Sequence, residues 1–198
     1  MFDVRFYFKQ NRMIYFMFLF CFILGLVLGL VIMFSSDNYL KLLTSENKIM
    51  YPFINGTAEK SVLFWKKLLG FSIPLVLLFG LGLNYYISLL SYVFITYQSS
   101  LLILSCGAVV KTYGFSGFFN ILFVTLPINI LYFALLIFFG VTCFVRSKAA
   151  HRAKQFIYGF DDEFFFKVMI SFILVLVLCI CVCVIYPMFL KNSIFLIF

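Results

Sequence analysis

Residues 68–110 run for 43 positions without one Asp, Glu, Lys or Arg. As a single α-helix that stretch is about 65 Å long, twice a hydrocarbon core of about 30 Å. The run must therefore fold back on itself in an apolar medium. Gly80, Gly82 and Asn84, followed by the interface-seeking Tyr85 and Tyr86, supply the best turn and divide the run into spans near 62–80 and 86–110. The alternative turn, at Tyr97, Gln98, Ser99 and Ser100, leaves only residues 101–110. These make about 15 Å of helix, short enough to exist only as a re-entrant piece sheltered by other helices.

The rest of the chain obeys the same solvent. Hydrophobic residues make up 65% and charged residues 11%, with a mean hydropathy of +1.15, so there is too little polar surface to coat a water-soluble globule. Residues 13–34, 118–145 and 168–190 are further apolar runs, the one at 118–145 interrupted by Pro127. The sequence thus predicts an all-α, polytopic membrane bundle of about five transmembrane helices, a single domain over residues 1–198, with a kinked or broken fourth helix at Leu126-Pro127. Residues 13–34 lack the short apolar core and small-residue cleavage site of a signal peptide and read as a retained first span.

The net charge of +8 is a topology signal, because Lys and Arg gather at the ends of the runs; nucleic acid is not an expected partner, whereas the lipid bilayer is. Arg5, Lys9 and Arg12 precede the first span, and Arg146, Lys148, Arg152 and Lys154 follow the fourth. Five spans place both clusters in the cytoplasm, as the positive-inside rule asks. The N-terminus and the basic loop 146–163 are then cytoplasmic, and segment 35–61 and the C-terminus extracytoplasmic.

Chemistry-bearing groups avoid the spans. All seven carboxylates lie in termini or loops, and the single histidine, His151, stands among bases. No carboxylate–histidine or HExxH constellation and no phosphate-binding loop can be written, so the expectation is no enzyme, no cofactor and no metal. Cys179, Cys181 and Cys183 alternate, which on a helix scatters them over different faces. Asp161, Asp162 and Glu163 read as the acidic start of a helix. In the outer segment, Leu40, Leu43, Ile49 and Phe53 belong to an amphipathic stretch, which either lies on the membrane or bundle or docks an extracytoplasmic protein. Small residues, including the Gly25 and Gly29 of a G-x-x-x-G, predict close helix packing.

The middle of the chain resembles the stage II sporulation protein M family. The residues that carry this are Lys67, Leu68, Leu69 and Gly70 leading into the apolar hairpin; Gly107 and the turn Gly114, Phe115, Ser116, Gly117, Phe118, Phe119; and the Leu126, Pro127, Ile128, Asn129 segment. The basic N-terminus, the outer segment, the basic loop and a last helix running into Pro187 agree with it. The resemblance implies a non-enzymatic scaffold of the bacterial cell membrane. It would bring two peptidoglycan hydrolases, an amidase and a lytic transglycosylase, to the sporulation septum for forespore engulfment. Leu40, Leu43, Ile49 and Phe53 would then be the docking residues. An alternative from another class is a small-molecule transporter or channel, with Pro127, Asn129 and the Gln98-Ser99-Ser100 patch forming a polar midplane site.

Overall fold

The computed structural model describes residues 9–35, 60–153 and 162–195, and every element among them is helical. In chain order these are α1 (Arg12–Ser35), α2 (Lys60–Leu81), a single turn α3 (Tyr85–Ser88), α4 (Leu90–Asn120), a π turn (Ile121–Thr125), α5 (Leu126–Arg152) and α6 (Asp162–Phe195). Four stretches are long and apolar enough to cross a membrane: Arg12–Ser35, Tyr85–Ala108, Leu126–Arg152 and Phe164–Cys181. Leu68–Leu81 is a shorter apolar helix. Side chains such as Phe16, Val27, Val76, Phe166 and Ile173 stand exposed on the outside of the bundle, as lipid requires and water forbids.

The uncharged run turns within the Gly80 to Tyr86 cluster. The Gly82 amide donates to the Leu78 carbonyl at 2.9 Å, and the Asn84 side chain caps α3 by accepting from the Tyr86 amide at 2.9 Å. Only glycine fits at 82, since a Cβ there would stand 2.5 Å from the Cys143 Cβ on α5.

The gap of residues 111–117 between the third and fourth apolar runs falls inside α4, and the structure reduces it to one residue. Gly114 has φ 61° and ψ −134°, a conformation closed to residues with a Cβ, and the chain is helical on both sides of it. The irregularity expected at Leu126-Pro127 lies just upstream, in the π turn Ile121–Thr125, and Pro127 itself sits in the first turn of α5. There its missing N–H costs least, and the wider turn before it accommodates a carbonyl the proline cannot serve. Helices also outrun the predicted spans: α5 continues to Arg152, so Arg146 and Lys148 lie on its last turns and not in a loop, and α6 starts at Asp162, within the acidic triplet.

Contacts fix the directions. Phe18 of α1 meets Tyr92 of α4 at 4.6 Å and Phe144 of α5 at 6.4 Å, and Tyr85 stacks on His151 at 4.7 Å. Farther along, the α1 backbone at Cys21 accepts from Thr96 of α4. So α1 and α4 run parallel, and α5 runs antiparallel to both. Tyr132 bonds to Phe71 and Gly82 abuts Cys143, which makes α2 parallel to α5; Phe164 at the start of α6 packs on Phe79 at the end of α2. Arg12, Arg146, His151 and Arg152 consequently share one end of the bundle, and Ser35, Gly114 and Leu126 the other. The core centres on α5, with Leu136, Phe139 and Val141 enclosed together with Phe18, Leu75, Leu78, Ile95 and Val175.

Candidate functional site

Small and polar residues of α1 and α4 close one helix seam. Gly25 and Gly29 of α1 face Thr96, Ser99, Ser100 and Ile103 of α4. A Cβ at Gly25 would run into Ser99 Oγ and the Thr96 carbonyl, and one at Gly29 would meet the Ser100 carbonyl at 2.7 Å. The hydroxyls here are spoken for: Thr96 donates within reach of both the Tyr92 carbonyl (3.0 Å) and the Cys21 carbonyl (3.2 Å), Ser99 of the Ile95 and Thr96 carbonyls (both 3.0 Å), and Ser100 to Tyr97 (2.8 Å). Thr142 and Ser171 likewise donate to carbonyls one turn back on their own helices. This is the small-residue packing that holds helices together in lipid, where apolar burial alone gives no drive. Gly140 adds a second example, with a Cβ there placed 2.8 Å from the Phe18 ring.

The residues that carry the family resemblance fall into one region. Gly107 is half-buried on α4, Gly114 makes the break, and Ser116 and Gly117 lie in the helical turns that follow. Phe115, Phe118 and Phe119 are exposed; Phe115 and Phe119 meet edge to face at 4.9 Å, and Phe119 stacks with Phe123 at 6.1 Å. Leu126 and Pro127 open α5. The Asn129 amide donates to the Thr125 carbonyl at 2.7 Å, so it satisfies a carbonyl of the π turn beside the proline. Pro187 is within α6. Leu40, Leu43, Ile49 and Phe53 lie outside the described residues.

The polar groups of the transporter reading are not brought together. Ser99 and Ser100 are buried in the α1–α4 seam, while Asn129 is turned onto Thr125 of its own stretch of chain.

Two features escape the sequence reading. Pro74 stands inside α2, where it removes the amide that would bond the Gly70 carbonyl; beside it the Tyr132 hydroxyl donates to the Phe71 carbonyl at 3.0 Å, and the two rings lie 4.6 Å apart. The proline was the available signal. The second is the aromatic and basic cluster at the arginine end: His151 stacks on Tyr85 and meets Tyr86 edge-on at 5.4 Å, while the Arg146 guanidinium lies 3.7 Å from the Phe164 ring centre. No family model, curated protein or solved structure matches the chain.

Proposed function

We propose that this chain is a non-enzymatic scaffold of the bacterial cell membrane, similar to stage II sporulation protein M, that gathers peptidoglycan hydrolases for forespore engulfment. The supporting observation is the separation of the two ends. Arg12, Arg146 and Arg152 mark one end, which the positive-inside rule assigns to the cytoplasm, and the Gly114 to Phe119 motif with its exposed phenylalanines occupies the other. In this reading five helices cross the bilayer, the N-terminus is cytoplasmic, and the C-terminus faces the hydrolases. The partners are an amidase and a lytic transglycosylase, held through Leu40, Leu43, Ile49 and Phe53 of the outer segment.

Co-purification from sporulating cells tests the role: both hydrolases are expected with the wild-type chain and neither with a variant in which Leu40, Leu43 and Phe53 are all Ser. Retention of both hydrolases by a correctly inserted triple variant removes the docking assignment. Absence of both from the wild type removes the scaffold. Topology is tested separately on a cysteine-free background, where Ala149→Cys should be labelled only from the cytoplasm and Lys111→Cys only from outside.

A further inference from the structure

The α1–α4 seam sets the level at which the spans end. Gly25 faces Ser99 and Gly29 faces Ile103, and the same register brings Ser35, the last residue of α1, level with Ala108, the last of the apolar Tyr85–Ala108 stretch. Gly114 lies six residues farther on, about 9 Å of helix, whereas the headgroup zone adds only about 5–8 Å to each side of the hydrocarbon core. Carried straight on, the helix would lift its next residues into water. Gly114 breaks it instead, and residues 115–125 cross the end of the bundle to reach α5, which runs the other way. Ile121 of this crossing is buried, and its π turn touches α4, α5 and α6.

The outward side of the crossing is apolar. Phe115, Phe118, Phe119, Leu122 and Phe123 recur at the spacing of one helix face, and all five are exposed. Their rings form one patch: Phe119 meets Phe115 at 4.9 Å, Phe123 at 6.1 Å and Phe118 at 6.2 Å. The patch shows roughly 500 Å², short of the about 800 Å² per partner of a standard protein interface. No Asp, Glu, Lys, Arg or His occurs from Thr112 to Val145, so apolar area alone supplies the attraction.

We propose that residues 115–125 form an interfacial membrane-binding element, lying along the leaflet at the end opposite the arginines with the Phe115, Phe118, Phe119 and Phe123 rings in its upper acyl region. A helix in the interface plane buries its apolar face about 5–10 Å deep, which suits a phenylalanine stripe held at headgroup height. Without charge, the crossing takes neutral and anionic lipid alike. The inference is independent of the scaffold reading and of which face is cytoplasmic.

Depth is read by tryptophan fluorescence of the full chain in dioleoylphosphatidylcholine vesicles, in a Trp65→Phe background. Phe118→Trp and Phe123→Trp report on the crossing, and Val27→Trp, on the lipid face of α1, is the mid-depth reference. Lipid brominated high on its acyl chains should quench the two crossing positions about twofold more than lipid brominated near the chain ends, with the reverse order at position 27. Replacing half of the lipid with dioleoylphosphatidylglycerol should leave that order unchanged. Adding Phe115→Ser, Phe119→Ser and Phe123→Ser to Phe118→Trp should lift the indole into reach of iodide present on both faces. The assignment is overturned if iodide quenches Phe118→Trp and Phe123→Trp as readily as free tryptophan, or if the deep bromines quench them better than the shallow ones. It is equally overturned if neither quencher reaches them, which puts a protein surface over the patch, if the order depends on phosphatidylglycerol, or if the three serines change nothing.

Discussion

Helices α1 and α5 are both apolar enough to cross a membrane, yet they hold opposite places in the bundle. The most apolar 18-residue stretch of α5 is 56% buried and that of α1 only 17%. The buried helix is the less apolar of the two, because α1 packs mainly on α4, touches α5 through Phe18 and Phe22, and shows the rest of its circumference to lipid, while α5 is surrounded by α1, α2, α3 and α6. Where the solvent is hydrocarbon, hydrophobicity says where a residue is tolerated, and shape says where it belongs. On α1 the shape is an absence of side chain at Gly25 and Gly29; on α5 it is the bulk of Leu136 and Phe139.

The contrast breaks most readily at the α1 seam. Gly25→Leu forces a side chain into Ser99 and the Thr96 carbonyl, neither of which can yield without parting the helices, and should cost about 3 kcal/mol or more, read as loss of folded protein in detergent unfolding. Gly80→Leu, with nothing within 4 Å of its Cβ, should be silent in the same assay. Phe139→Ala leaves a cavity beside Phe18 and should cost about 3 kcal/mol, whereas Val27→Ala on the lipid face of α1 should stay within about 0.5 kcal/mol. Gly114→Ala must bend a residue with a Cβ into a glycine conformation, at about 1–3 kcal/mol by thermal unfolding. A small but measurable loss belongs to Thr96→Val, about 0.6 kcal/mol, the usual worth of one interhelical hydrogen bond in a membrane bundle.

Local features of this fold were legible in the sequence and pairings were not. The Gly80 to Tyr86 turn, the small residues Gly25, Gly29 and Gly140 and the acidic start of α6 each follow from the preference of a few neighbouring residues. The break at 111–117 was legible as a place, but several residues there can end a helix, and only φ identifies Gly114 as the one that does. That α1 chooses α4, that Tyr132 reaches Phe71 and that Tyr85 stacks on His151 are agreements between distant segments. No local propensity encodes them in a chain whose apolar faces look alike. For the candidate site, the motif residues around Gly114 and Asn129 were visible, whereas the packing of Arg146 and Phe79 on Phe164 draws on three helices at once.

The α1–α4 seam joins Cys21 to Thr96, 75 residues apart in the chain. A ribosome delivers α1 to the bilayer long before α4 exists, and α2 arrives in between. For that interval the Gly25 and Gly29 face has bare backbone turned to lipid or to the insertion machinery, with its eventual companion not yet made. Biogenesis therefore has a waiting step built into it, and its length is set by translation of the intervening segment. Lengthening the stretch between α1 and α2 would prolong the exposure of that face.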